Sequence, residues 1–289
     1  MAETVLSAGL SVGQAVSAGR AALHAAGCDT PRLDAELLAA EALGLTRERL
    51  LLDRDDELDP SARDRFEALL TRRAAREPVA YILGRKAFRH ISLAVDRRVL
   101  IPRPETELLV EVGLTLSPGA AVVDVGTGSG AVALALKDER PDLSISGTEL
   151  SARALAVARS NALGLGLDVR LVAADLLDSG QYDAVLANLP YVPDGSVLEP
   201  EIAMYEPVRA LFAGADGLDV IRRLVSMVAQ RPERAQGVPA AARRLSLLAL
   251  EVGGDQAAAV ASLMRRSAFA SVEILFDLAG HERVVVGRR

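Results

Sequence analysis

The stretch Asp124-Val125-Gly126-Thr127-Gly128-Ser129-Gly130 sets the reading of the chain. It lies between an apolar run, Ala120–Val125, that reads as a β-strand and a segment, Ala131–Lys137, that reads as the start of a helix. Glycines in such a turn permit positive φ and let a ligand approach the backbone, while the helix start offers free N–H donors. The spacing is Gly-x-Gly-x-Gly rather than Gly-x-Gly-x-x-Gly, so the dinucleotide fingerprint is not met. Taken alone, the turn also fits a tight β–α link with no ligand. Glu149 changes that balance. It closes the next expected strand, Leu143–Thr148, about 20 residues on, where an acid can hydrogen-bond ribose hydroxyls. The pair favours a cofactor that carries a nucleoside. S-adenosylmethionine has the ribose and no phosphate, which suits a loop with no phosphate-binding lysine. Asp175 follows the third expected strand, Val169–Ala173, where an adenine edge would lie; it equally fits a turn or helix-capping aspartate.

Outward from the glycine turn, strands and helices alternate. A helix is expected over Ala152–Leu163, a fourth strand over Tyr182–Ala187, and then a long loop. Gly217–Ala229 reads as helix, Leu245–Val252 as strand and Gln256–Arg265 as helix. The chain closes on a hairpin, Val272–Leu278 with Arg283–Val286. This order predicts an α/β, Rossmann-like sheet, mostly parallel and covered on both faces, with the terminal hairpin adding one antiparallel strand. The polar stretch 231–244 is expected to be an exposed loop. Residues 1–76 read as a small helical domain. Pro31–Leu45 carries Leu33, Leu37, Leu38 and Ala42 at helical spacing, Ser61–Arg76 carries Phe66, Leu69 and Leu70, and Asp59-Pro60-Ser61 marks a helix start. Leu50-Leu51-Leu52 reads as an apolar anchor running into an acidic turn. Residues 77–103 alternate in the strand manner and read as a β connection. A further helix is expected from Thr106, with Leu108, Leu109 and Val112 on its buried face. Residues 104–289 make up the large domain.

The composition narrows the chemistry. Half of the 289 residues are apolar, the formal charge is −6, and acidic and basic residues are interspersed, so no broad basic field invites nucleic acid. Cys28 is the single cysteine, and His24, His90 and His281 lie far apart, so neither a disulfide nor a metal cluster is expected. No apolar run approaches the ~20 residues that span a bilayer. A monomeric cytoplasmic protein without a membrane partner is the expectation.

Leu186-Ala187-Asn188-Leu189-Pro190-Tyr191 leaves the fourth strand, and in a doubly wound sheet it should open beside the cofactor crevice. Asn188 offers an amide oxygen as acceptor. The Leu189 carbonyl offers a second, since Pro190 holds the residue before it extended. Tyr191 offers a flat face. Two convergent acceptors and an aromatic wall suit a planar –NH₂ group, either a carboxamide or an exocyclic base amine. Asn and Pro are also ordinary turn residues; the adjoining glycine turn favours a site. An amide nitrogen is a poor nucleophile because its lone pair is delocalised. Holding both of its N–H groups would favour the charge that develops on it and aim it at a methyl carbon, in a direct in-line displacement needing neither metal nor covalent intermediate.

At this point the chain resembles the release-factor glutamine N5-methyltransferases over most of its length. The resemblance rests on Glu77-Pro78-Val79-Ala80-Tyr81-Ile82-Leu83-Gly84, Leu100-Ile101-Pro102-Arg103-Pro104-Glu105-Thr106-Glu107, the Gly126–Gly130 loop and Asn188–Tyr191, with Glu206-Pro207, Ala210-Leu211 and Asp216-Gly217-Leu218 in support. Ile101–Glu107 is the most specific of these. The resemblance implies a helical N-terminal domain that docks the release factor, a β-hairpin linker and a seven-stranded methyltransferase sheet with one antiparallel strand. It implies that the acceptor is the glutamine of the Gly-Gly-Gln motif in peptide chain release factors. Gly126, Thr127, Gly128, Ser129, Gly130 and Glu149 would bind S-adenosylmethionine, with Asp175, Leu176 and Asn188 beside it. Asn188, Leu189, Pro190 and Tyr191 would hold the substrate amide, and Arg103 and Glu105 would border it. Two positions depart from the family pattern. Leu189 stands where a proline is usual, and Glu149 where an aspartate is usual; neither change removes a needed group.

Asn-Leu-Pro-Tyr also resembles the motif of ribosomal RNA adenine dimethyltransferases. Those enzymes do not account for Ile101–Glu107, and they usually present more positive charge. The same stretch disfavours a glutamine methyltransferase acting on a ribosomal protein. A noncatalytic cofactor-binding module has no evident need of the Asn188 amide clamp.

Overall fold

A computed structural model describes residue 6 and residues 9–230, 245–267 and 269–289. The polar stretch 231–244 lies outside the described residues. The chain forms two compact units: one of residues 1–85 with Glu199–Tyr205, the other of residues 86–198 and 206–289.

The first unit is helical, built from α1 (Val12–Ala25), α2 (Pro31–Leu43), α3 (Arg47–Leu52), α4 (Pro60–Ala74) and α5 (Val79–Leu83). Local chemistry sets the ends. Ser11 and Gln14 form a reciprocal capping box at α1. Asp59 accepts the Ala62 N–H at 2.9 Å and starts α4, as its sequence predicts. Gly44 ends α2 in the left-handed conformation. Leu23, Leu38, Phe66 and Leu70 are almost fully buried, each contributing about 1.5–3 kcal/mol.

Three sequence expectations shift here. In α2 the buried face runs through Asp34, Ala35, Leu38, Ala39 and Ala42, while Leu33 is exposed. Of the expected anchor only Leu50 is buried; Leu51 and Leu52 face solvent on a short helix. The boundary falls nine residues later than 76, because Glu77-Pro78 leads into α5, whose Ile82 joins the first unit's core. Residues 77–103 are therefore not one linker, but a helix followed by a hairpin, β1 (Arg85–Phe88) and β2 (Ile91–Ala94).

The second unit continues with a 3₁₀ turn at Pro104–Thr106 and then α6 (Glu107–Leu114), in which Val110 rather than Leu108 joins Leu109 and Val112 on the buried face. There follow β3 (Ala121–Val125), α7 (Ala131–Glu139), β4 (Ser144–Glu149), α8 (Ala152–Leu165), β5 (Arg170–Ala173) and β6 (Ala184–Ala187). The helix α9 (Pro200–Tyr205) belongs to the first unit. The second resumes with α10 (Asp219–Ala229), β7 (Leu247–Glu251), α11 (Ala257–Arg266), β8 (Ser271–Phe276) and β9 (Glu282–Arg288). The seven-stranded sheet runs β5-β4-β3-β6-β7-β9-β8. Among the described strands β9 alone runs against the direction of the other six, as the terminal hairpin predicts.

Val123, Val125, Val185, Leu248 and Leu250 pack with Ile221, Leu224 and Val225 of α10 and Val260 of α11. On α6, Gly113 leaves room for Leu136 and Leu186; a Cβ there would lie 2.7 Å from Leu136. The strand order reverses between β3 and β6, the point at which open α/β sheets bind ligands.

Within the first unit, α9 returns to a buried ionic cluster. Arg73 donates to Asp34 Oδ2 at 2.7 Å and pairs with Glu201 at 2.9 Å; Arg76 pairs with Glu201 at 2.6 Å. Thr30 donates to the other Asp34 oxygen at 2.7 Å. Tyr205 fastens the end of α9 to the Ala75 carbonyl at 2.8 Å.

Candidate active site

Strands β3 and β6 pair in parallel with Val125 opposite Ala187, so the residues that follow, Gly126 and Asn188, leave the same sheet edge side by side. A Cβ on Gly126 would lie 3.8 Å from the Asn188 carbonyl oxygen and 3.1 Å from Leu189 Cδ2. Both loops line one cavity of about 360 Å³.

The glycine loop is fixed from beneath. Asp124 is buried and accepts from Thr127 Oγ1 at 2.6 Å and from the Ala133 N–H in the first turn of α7 at 3.2 Å. Burial pushes its pKa up to about 6 against the pull of these two donors. Gly126, Gly128 and Gly130 all have positive φ. Glu149 ends β4 and reaches across: one carboxylate oxygen accepts the Gly128 N–H at 3.0 Å, the other the Ser151 N–H at 2.8 Å. Asn161, from α8, donates to the Ser129 carbonyl at 2.9 Å and holds both backbone groups of Ala94 in β2.

Gly126, Thr127, Gly128, Ser129, Glu149, Asp175, Leu176, Asn188, Leu189 and Pro190 all line the cavity. Gly130, Arg103, Glu105 and Tyr191 do not. Gly130 serves as the N-cap of α7, where a Cβ would meet Leu134 at 2.7 Å. Arg103 is held by an ion pair to buried Glu206, which also accepts the Ile101 N–H at 3.1 Å. Asp175 is half exposed and paired with Arg223 at 2.7 Å, a surface pair worth about 0–1 kcal/mol. Leu176 adopts φ +66 and is buried.

In the loop after β6, the Asn188 side-chain N–H₂ donates to Thr106 Oγ1 at 3.0 Å, which turns the amide oxygen away from Thr106. The Leu189 side chain is buried against Gly126. The Tyr191 ring is not a wall of the cavity as its sequence position implies. Its hydroxyl points to Glu251 at 3.5 Å, and burial pushes its pKa up to about 12. The Tyr191 carbonyl accepts from Gln256 Nε2 at 2.8 Å, and Val192 pairs with Phe212, so the segment is clamped from two sides. Gly217 has to be glycine: a Cβ there would lie 2.1 Å from the Tyr191 carbonyl oxygen.

Asn161, Glu251 and Gln256 have no local signature that singles them out. Each is polar and buried, and each reaches a partner 60 or more residues away along the chain. Among the described residues, no group of three or more His, Cys, Asp or Glu is placed to hold a metal. No described helix is long and apolar enough to cross a membrane.

Known proteins match this chain. Residues 14–84 match the PrmC N-terminal domain and residues 104–205 the methyltransferase small domain. A release factor glutamine methyltransferase of Rhodospirillum rubrum is 39% identical over 288 residues, covering 97% of this chain and 86% of that protein. The chain belongs to the release factor glutamine methyltransferases. Another member, from Cereibacter sphaeroides, is 41% identical over 92% of this chain and 94% of its own length. Among solved structures, a methyltransferase from Pyrococcus furiosus superposes with a TM-score of 0.51 at 15% identity, covering 70% of this chain and 91% of that one. The hMettl16 catalytic domain, solved with an RNA hairpin, gives 0.54 at 17% identity, covering 77% and 81%. These two likenesses concern the fold. With the family assigned, the chain is a methyltransferase enzyme.

Proposed function

We propose that this protein transfers a methyl group from S-adenosylmethionine to the side-chain amide nitrogen, N5, of the glutamine in the Gly-Gly-Gln motif of peptide chain release factors. The observation that carries this reading is the register of β3 and β6, which opens the glycine turn and the Asn188 loop onto one cavity. The names of the relatives support the choice of substrate.

The cavity suits the methyl donor. The glycine turn forms a cradle that a Cβ would fill, Glu149 stands at the end of the neighbouring strand, and Leu150, Leu176 and Val220 provide apolar wall. Gly126–Ser129 would hold the cofactor through backbone contact, and Glu149 would accept from its ribose hydroxyls. When bound there, S-adenosylmethionine supplies a methyl carbon activated by its sulfonium, for transfer by direct displacement.

The chain's own part is to bind and aim the amide. Asn188 Oδ1 accepts from one N–H of the substrate, and the Leu189 carbonyl accepts from the other. Both favour the charge that develops as the lone pair leaves conjugation. Positioning of this kind can supply up to ~7–11 kcal/mol of a barrier. Leucine in place of proline at 189 keeps the carbonyl and packs its side chain against Gly126.

Incubation with labelled S-adenosylmethionine and release factor is expected to label the factor, and replacing its acceptor glutamine to abolish the label. Label in ribosomal RNA with none in release factor would overturn the reading. A second variant tests the cradle. Gly126→Ala forces a side chain into φ +71 and against Leu189, at about 1–2 kcal/mol for the backbone alone. S-adenosylmethionine binding measured by calorimetry is expected to weaken about tenfold. An unchanged Kd would remove the turn from the cofactor site.

A further inference from the structure

The backbone of the acceptor loop is held by one buried amide. Gln256, the N-cap residue of α11, is 7% exposed. Its Nε2 donates to the Tyr191 carbonyl at 2.8 Å and to the Asp216 carbonyl at 3.1 Å, and its Oε1 accepts the Gly253 N–H at 2.9 Å. Both hydrogens of the amide are thereby spent and its oxygen is engaged. A flipped amide would set its oxygen against two carbonyls and its N–H₂ against an N–H, so one orientation fits. Gly217 leaves the space: a Cβ there would lie 2.7 Å from Gln256 Nε2.

The groups that Gln256 joins belong to different walls of the site. Tyr191 follows Asn188, Leu189 and Pro190, which line the cavity on the acceptor side. Asp216 lies in the turn before α10, whose Val220 and Arg223 line the same cavity. Arg223 in turn pairs with Asp175 at 2.7 Å. Gly253 lies just beyond β7, the strand beside β6. Gln256 itself does not line the cavity. Among the described residues, no other hydrogen bond reaches the Tyr191 or Asp216 carbonyl, and none reaches the Leu189 carbonyl. The Tyr191 carbonyl is thus tied to α11, while that of Leu189 stays available to a ligand.

We propose that Gln256 is a positioning residue for methyl transfer, tying the acceptor loop to the turn before α10 so that the substrate amide is set against the methyl donor. This rests on the reading of Asn188 and Leu189 as acceptors of the substrate N–H groups. Displacement needs the reacting atoms about 3–3.5 Å apart and in line, and a misplacement of about 1 Å can cost about 10²-fold in rate. Without Gln256, the Tyr191 and Asp216 carbonyls lose their shared donor and the two walls can shift independently. The contacts that give each wall its affinity remain; their relative placement does not.

The experiment is steady-state methylation of release factor by the full chain, with kcat expressed per cofactor-binding site counted by calorimetry, beside thermal unfolding. Gln256→Glu keeps an acceptor for Gly253 and sets a carboxylate against the two carbonyls. Gln256→Met keeps the length and removes all three bonds, and it decides the matter if Gln256→Glu does not fold. Each is expected to lower kcat about 10- to 100-fold while the KM for release factor and the Kd for S-adenosylmethionine stay within about threefold, the pattern of lost alignment. A lower unfolding temperature and fewer binding sites, with kcat per site unchanged, would mean a structural role alone and overturn the proposal. A rise in KM or Kd as large as the fall in kcat overturns it as well, since Gln256 would then serve binding. If Asn188→Ala is itself unimpaired, the underlying reading fails.

Discussion

Asn188→Ala is expected to lower turnover by about 10²–10³-fold, the usual cost of removing one preorganised hydrogen-bonding group aimed at a developing charge. The carboxamide nitrogen of a glutamine has little nucleophilicity of its own, and in the proposed mechanism the Asn188 oxygen holds one of its hydrogens. Alanine removes that acceptor and leaves Thr106 without its donor. The proposed cofactor cradle uses other residues, Gly126–Ser129 and Glu149, so the S-adenosylmethionine Kd should change far less. Single-turnover transfer to release factor, measured beside calorimetric cofactor binding, separates the two. Unchanged turnover would remove Asn188 from the mechanism. A loss of cofactor affinity as large as the loss of turnover would place the residue in the donor site instead.

Arg73→Ala is expected to destabilise the first unit by about 3–5 kcal/mol, the range for removing one partner of a buried ion pair. Arg73 and Asp34 are each about 5% exposed in their side chains, so solvent cannot take over when one is removed. Asp34 would keep only the Thr30 hydroxyl, and Glu201 only Arg76. The cost is that of an uncompensated charge more than that of a lost bond. Accordingly, Arg73→Met combined with Asp34→Leu should recover much of the loss. Urea unfolding followed by circular dichroism reads both. If the single variant is as stable as the parent, the ionic cluster does not hold these helices together.

The parts of this protein that could be read from its sequence are those whose signal is local. The glycine turn, Glu149 at the end of the next strand, and Asn188–Tyr191 each announce themselves within a few residues. The antiparallel strand β9 follows from the terminal hairpin. Buried polar residues behaved otherwise. Asp34 sits among the apolar residues of α2, but helical spacing of leucines pointed to the Leu33 face instead, since the position's value depends on Arg73, 39 residues later. Glu251 is unremarkable in its own surroundings and reaches Tyr191, 60 residues earlier, only through the fold. Tyr191 was expected to present its ring to the cavity. Its hydroxyl turns instead to buried Glu251.

The return of α9 to the helical unit has a practical meaning for anyone dividing the chain. That unit is discontinuous: its hydrogen bonds and ion pairs reach to Glu201 and Tyr205, more than 100 residues past its apparent end. A cut at residue 85 would therefore strand a helix from its own core. Residues 1–85 expressed alone would expose Arg73 and Arg76 without their shared anion, and an excised catalytic half would carry Pro200–Tyr205 as an unanchored insert. Modularity in this protein is a property of space rather than of sequence.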